Sequence, residues 1–232
     1  MTLVLAAKYR ENKASGGIVF ISDTISYANP PEHTRKVRYL DIPIDCPKFA
    51  LGLAGKYHDV DETFSEITGF LESKILEDGP EYIPSWLTYH LTDRYSGFGR
   101  KLKHQLVAIH YGDHSELFAV NRNRRRGVET CDYSWIGHYY PEVLEILKNS
   151  YTSGMNLEQV THLLQRAFNL SKKLSELTSP PRNGEVTLDL EGELASIKLT
   201  HHSIRKIAKR KELHPIEGCD LSVLTSSGLV YH

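Results

Sequence analysis

Short, largely apolar β-rich runs alternate with polar turns through the first quarter of the chain. Residues 2–8 (Thr2-Leu-Val-Leu-Ala-Ala-Lys8), 17–22, 36–40 and 48–54 each have the length and side-chain content of a strand. Gly16-Gly17 and Asn29-Pro30-Pro31 mark the turns between them. The period then changes. Phe64, Ile67, Phe70, Leu71 and Ile75 recur at helical spacing, which predicts a helix from Asp59 to Leu76 with Asp59 or Asp61 as its N-cap. A second helix is expected from Pro84 to about Tyr95, bearing Trp86, Leu87, Tyr89 and Leu91 and ended by Gly97 and Gly99.

Alternation returns at Gln105–His110 and Ser115–Val120, which form a hairpin across Tyr111-Gly-Asp-His114. A short strand is expected between Val128 and Trp135. Two helices follow. One runs from Pro141 to Ser150 with proline in its first turn, the other from Leu157 to about Leu174. The apolar stripe of the second is Leu157, Val160, Leu163, Leu164, Ala167 and Phe168. Residues 219–225 and 229–231 read as a closing hairpin. Strands, two helices, strands, two helices, strands is an order satisfied by two sheets between helical layers. The stretch from Ser179 to Glu217 breaks this rhythm, with Ser-Pro-Pro, a strand-like Glu185–Leu190 and a basic segment from Lys198 to Lys211.

Composition narrows the function classes. The chain has 232 residues and a net charge of −1, with both signs interspersed, which argues against a nucleic-acid binder. The three cysteines (Cys46, Cys131, Cys219) are far apart and show no metal or disulfide spacing, so a reducing cytoplasm is expected. Apolar runs are strand-length, so no membrane partner is expected, and no secretion signal is read at the N-terminus. No cofactor or metal is assigned. His110, Asp113 and His114 surround one turn, but a third and fourth ligand cannot be named. Arg122-Asn-Arg-Arg-Arg126 reads as a solvated hairpin tip, and His201-His202 as surface residues. The basic segment after Lys198 could be a solvated helix face or a partner contact.

Several segments, in order, resemble the β-type subunits of proteasomes and the bacterial HslV peptidases, which are N-terminal nucleophile hydrolases. Thr2 before a short strand is similar to the family's catalytic start. Gly17-Ile-Val-Phe-Ile-Ser-Asp23 resembles the strand that carries its buried aspartate. Arg35-Lys-Val-Arg-Tyr-Leu40 resembles the segment of its catalytic lysine, and Lys36 takes that position. Phe49-Ala-Leu-Gly-Leu-Ala-Gly55 resembles the strand whose terminal glycine donates an oxyanion-hole amide. Trp135-Ile-Gly137, Pro141-Glu-Val-Leu-Glu145 and Cys219–Thr225 resemble its glycine-serine loop, the following helix and the penultimate strand.

The resemblance implies one α+β domain over residues 1–232, a four-layer αββα sandwich of two antiparallel sheets. It implies a threonine peptidase or amidohydrolase, acting on a peptide or protein and assembling as a homo-oligomer, of which a ring is one form; an ATPase partner is left unspecified. Thr2, Asp23, Lys36, Gly55 and Glu212 are then the catalytic candidates. Leu53 and His138 fall on the substrate-binding side. Some positions depart from the family pattern. His138 stands where a serine is usual. Glu212 and Pro215 stand for a downstream aspartate and serine, unless Ser175 and Thr178 serve there. With Glu212 in that place, about 174–205 is an insertion. A catalytically silent structural or binding subunit, or another N-terminal nucleophile enzyme such as a peptide ligase, uses the same fold.

The chemistry fits those residue types. A threonine hydroxyl is a poor nucleophile until a base takes its proton. An α-amino group titrates near ~7.7–8.0 and can be that base if Met1 is removed. A Lys36 ammonium disfavours protonation of the amine and stabilises negative charge on the hydroxyl oxygen. Asp23 holds Lys36 charged, and the Gly55 amide receives the oxyanion. Taken singly, each residue also has a plainer reading: Thr2 as a strand residue with Met1 retained, Asp23 as a turn opener, Lys36 as a surface lysine and Gly55 as a strand-end glycine.

Overall fold

The computed structural model describes residues 2–12, 15–26, 32–40, 47–54, 57–78, 104–121, 128–137, 140–209 and 216–232. Two five-stranded antiparallel sheets dominate it. The first has the order β10-β1-β2-β13-β14, from Tyr133–Gly137, Leu3–Asn12, Ser15–Ser22, Asp220–Thr225 and Gly228–Tyr231. The second has the order β5-β6-β7-β8-β9, from Val37–Leu40, Lys48–Leu53, His104–Tyr111, His114–Asn121 and Val128–Cys131. The short strands β3 (Ile25–Ser26) and β4 (Glu32–His33) pair with each other.

The central strands are buried on both faces, which is why they read as nearly continuous apolar runs. Along β1, Val4 and Ala6 face the second sheet, while Leu3, Leu5 and Ala7 face the helices. Along β6, Ala50 faces the first sheet, while Phe49, Leu51 and Leu53 face the other way. The inter-sheet layer is lined by small residues at its centre, among them Ala6, Ala50 and Ala108. Gly52 belongs to the same layer. A Cβ there would lie 3.1 Å from Val4 Cγ1 and 3.3 Å from Leu106 Cβ. The two sheets are packed too closely at this point for a larger side chain.

Four helices complete the described residues: α1 (Tyr57–Asp78), α2 (Pro141–Ser150), α3 (Leu157–Glu176) and α4 (His201–Ala208). The buried positions of α1, Ile67 and Leu71, pack on the outer face of the second sheet. The buried stripe of α3 includes the expected Val160, Leu163, Leu164, Ala167 and Phe168 and continues to Leu174 and Ser175. Its N-terminus closes with a capping box. Asn156 Oδ1 accepts from the Gln159 amide at 2.9 Å, and Gln159 Oε1 accepts from the Asn156 amide at 3.0 Å. Among the described residues no helix is long and apolar enough to cross a membrane.

These findings correct the expected four-layer αββα sandwich. The described chain is mostly β, with two large antiparallel sheets and four helices. Strands extend beyond their apolar runs; β1 continues through Arg10, Glu11 and Asn12, where polar side chains pass the edge of the core. The helix expected over 84–95 lies outside the described residues. The strand expected over 128–135 divides at Asp132, and its halves join different sheets: β9 pairs with β8, β10 with β1.

Within the irregular stretch, residues 185–208 form an ordered module. Strands β11 (Glu185–Leu190) and β12 (Glu193–Lys198) form a hairpin, and α4 follows. Its turn residues Glu191 and Gly192 both have positive φ, 59° and 88°, as a two-residue hairpin turn of the primed type requires. Leu188, Leu190, Leu199 and Ile207 join the same buried cluster as Tyr140, Phe168 and Leu174. The buried carboxylate of Glu142, on α2, anchors the start of α4. It accepts from the Thr200 amide at 2.6 Å and from the Ser203 hydroxyl at 2.6 Å. Carboxylates at a helix N-terminus meet unpaired amides and the positive end of the dipole.

Candidate active site

At one end of the sandwich the β1–β2 ladder closes on a side chain. Val4 pairs with Ser22, so Leu3 and Asp23 come opposite each other. The Leu3 amide donates to Asp23 Oδ1 at 2.6 Å, and the Asp23 amide donates to the Leu3 carbonyl at 3.1 Å. Asp23 therefore holds the residue that follows Thr2. On the other flank of β1, Leu3 pairs with Gly137, the last residue of β10. Gly137 has φ +87°, and a Cβ there would collide with the Thr2 carbonyl oxygen. Glycine is required twice over, by the left-handed backbone and by the close approach.

The second sheet brings Lys36 and Ala54 to the same end. Lys36 precedes β5, and its carbonyl accepts from the Leu53 amide at 2.9 Å. Ala54 follows β6, and its Cβ lies 3.4 Å from the point where a Gly137 Cβ would sit. Lys36 is only 2% exposed, which rules out the ordinary surface lysine. Asp23 is 1% exposed. Burial pushes its carboxyl up to about 6, against the pull of the Leu3 amide and the Lys36 charge. Burial likewise lowers the Lys36 ammonium, while Asp23 pulls it back up. The two charges thus support each other in a poorly solvated place. Among the described residues Asp23 Oδ2 has no hydrogen-bond partner and no ion pair joins it to Lys36, so the support acts through the field and not through a direct contact.

The other candidates are placed differently. Leu53 is fully buried on the α1 side of β6, with Phe49, Leu51 and Leu71, and not in the inter-sheet layer. Gly55, His138 and Glu212 lie outside the described residues, as do Arg122–Arg126. Ser175 is engaged structurally; its hydroxyl accepts from the Ile216 amide at 2.9 Å, and Thr178 is exposed. His110 and His114 diverge onto different partners. His110 Nδ1 lies 2.7 Å from Ser115 Oγ, and His114 Nδ1 lies 2.7 Å from Asp113 Oδ1.

Sequence reasoning missed the hydroxyls flanking Asp23. Ser22, Thr24 and Thr34 are buried, and each has a side-chain oxygen without a hydrogen-bond partner among the described residues. Thr24 is held by backbone bonds to Thr34 and Glu217, and its side chain fills the place a Gly218 Cβ would need. The signal was present as three consecutive polar residues, Ser22-Asp23-Thr24, closing a strand that is otherwise apolar. Polar residues inside such a strand need a reason.

No family model matches the chain, and no curated protein matches it. Solved structures do. An Anbu (Gly-1) mutant from Hyphomicrobium sp. strain MC1 superposes with a TM-score of 0.60 at 15% identity, covering 97% of this chain and 82% of that one. Anbu (ancestral beta-subunit) from Yersinia bercovieri superposes with a TM-score of 0.57 at 12% identity, covering 99% and 86%. Likeness at such identity is a likeness of fold. It corrects the resemblance drawn from the motifs, to proteasome β-subunits and HslV peptidases: the fold shown is that of Anbu structures, which are proteasome-like but a distinct family.

Proposed function

We propose that this chain is an amide-bond hydrolase whose nucleophile is the Thr2 hydroxyl, once Thr2 is the first residue of the working chain. The observation that supports it most is the Leu3–Asp23 bond of 2.6 Å beside a buried Lys36. It fixes the backbone next to Thr2 against an acid whose charge is coupled to a lysine. The Thr2 α-amine takes the hydroxyl proton as Oγ attacks the substrate carbonyl. The Lys36 cation stabilises the developing negative charge, and a backbone amide at Gly55 would receive the oxyanion. The C–N bond then breaks, and the proton passes from the amine to the leaving nitrogen. Water attacks the resulting ester and regenerates Thr2. The substrate class is a peptide or protein amide, and the working form is a homo-oligomer.

A second reading has its own observation. Because Asp23 Oδ2 has no hydrogen-bond partner among the described residues, Lys36 is not locked to it by contact, as a strongly preorganised site would have it. A catalytically silent binding subunit on the same fold accommodates that. Intact mass of the native protein and a threonine-directed epoxyketone probe separate the two. Loss of Met1 with one label per chain, abolished in Thr2→Ala, supports the hydrolase. Retained Met1, or no label on an exposed Thr2, sinks it.

A further inference from the structure

The appended hairpin leaves one strand edge open. Among the described residues strand β12 pairs only with β11, in a two-stranded sheet. It is also the more exposed of the two: β11 buries Leu188 and Leu190, whereas β12 buries no residue. The two-residue turn at Glu191-Gly192 determines which backbone groups point where. Leu190 and Glu193 close the turn, so Glu193, Ala195 and Ile197 direct their amides and carbonyls toward β11. Leu194, Ser196 and Lys198 direct theirs outward, to the free edge. Proteins usually blunt such an edge with proline, a bulge or inward charge. Between Glu193 and Lys198 there is no proline and no bulge; the two charges stand at the strand's ends, Glu193 on the core-side face and paired with Arg166 at 3.6 Å, Lys198 on the outer face, and Leu194 between them is 78% exposed.

We propose that the β12 edge pairs antiparallel with the β12 edge of a second copy of this chain, about a twofold axis at Ser196. A twofold axis through an antiparallel pair keeps each face of the sheet on its own side. Residues directly opposite must therefore sum to an even number. The register centred on Ser196 places Ser196 opposite Ser196 and Leu194 opposite Lys198 of the second copy. All three outward-facing residues then exchange both backbone hydrogen bonds. The core-side face becomes an unbroken apolar row of Val186, Ile197, then Ala195 and Leu188 of the second copy, since Val186 lies opposite Ile197 and Leu188 opposite Ala195 within each hairpin. The outer face reads Asp189, Leu194, then Lys198 and Glu185 of the second copy, which puts no like charges side by side. The stem of Lys198 covers the exposed Leu194. Shifting the register by two toward the turn would set Glu193 against Ile197 and break the apolar row.

Sedimentation of the full chain tests this, because the exposed edge can be altered without touching the core. The wild type is expected at no less than twice its 26.4 kDa chain mass. Ser196→Pro removes an outward amide that β11 does not use, and Leu194→Lys sets like charges opposite each other. Each is expected to halve the mass with unchanged circular dichroism. Cα atoms of a hydrogen-bonded antiparallel pair lie ~5.5 Å apart, within disulfide reach. Ser196→Cys is therefore expected to give a covalent dimer under oxidation, with the bridge mapped by peptide mass to the substituted position in both chains. A monomeric wild type, a mass that survives both of the first two substitutions, or a folded Ser196→Cys chain that forms no such bridge would each overturn the proposal.

Discussion

Leu3 and Asp23 hold each other by two hydrogen bonds, one from each backbone amide. Leu3 donates to the Asp23 carboxylate at 2.6 Å, and Asp23 donates to the Leu3 carbonyl at 3.1 Å. A side chain thus completes a ladder that backbone alone would leave open, and it places a titratable group in the ladder beside Thr2.

That group makes stability depend on pH. The folded carboxyl of Asp23 sits near 6, above its ordinary 3.8, so the folded state binds its proton more tightly than the unfolded chain does. Its contribution is fully present below the ordinary value and is lost as pH rises through about 6. Asp23→Asn keeps an acceptor for the Leu3 amide and removes the charge. Thermal melting from pH 4 to 8 is expected to show the wild type losing stability across this window relative to Asp23→Asn. Parallel curves would refute the assignment.

Activity is expected to run the opposite way. Lys36 is supported only when Asp23 is ionised, so probe labelling of Thr2 should rise as pH increases through about 6. Lys36→Met should cut the labelling rate on the order of 100-fold and should lower stability where Asp23 is ionised, because it leaves a buried carboxylate without its counter-charge. A labelling rate unchanged in Lys36→Met would remove Lys36 from the mechanism.

Gly137→Ala combines a left-handed backbone with a collision against the Thr2 carbonyl. The expected cost is about 2 kcal/mol in urea unfolding. A neutral result would show that β10 can shift away from Thr2.

Glu142→Gln keeps the shape of the side chain that receives the Thr200 amide and the Ser203 hydroxyl, but removes its charge at the start of α4. A loss of about 1–2 kcal/mol is expected. Hydrogen exchange should rise over 200–208 before it rises in β1. Uniform protection would mean that the module is not anchored there.

Many single strands and helices could be read from periodicity, their layering could not, and the failures have physical causes. The runs at Leu3, Ile18 and Phe49 are buried on both faces, so they stand out as apolar. The stripe of α3 stands out by its spacing. Strand β12 was not legible, because Glu-Leu-Ala-Ser-Ile-Lys has no clean alternation and buries none of its residues. Its pairing depends on the Glu191-Gly192 turn and on β11. Asp23 and Lys36 were legible only as positions. That Lys36 is buried follows from tertiary packing, which no basic run reports. Leu53 was expected on the substrate-binding side from the resemblance alone; it shares its face of β6 with Phe49 and Leu51 and packs in their cluster.

The small residues between the sheets act as a spacer. Ala6, Ala50, Gly52 and Ala108 set how far apart two strand ends stand, one leading from Thr2 and the other into Ala54. The spacing of those two ends therefore depends on the middle of the molecule, away from both of them. A single added methyl at Gly52 would meet Val4 of the facing sheet at 3.1 Å, and that neighbour would have to give by a few tenths of an ångström, a displacement that starts between the sheets and leaves every residue at the two ends unaltered.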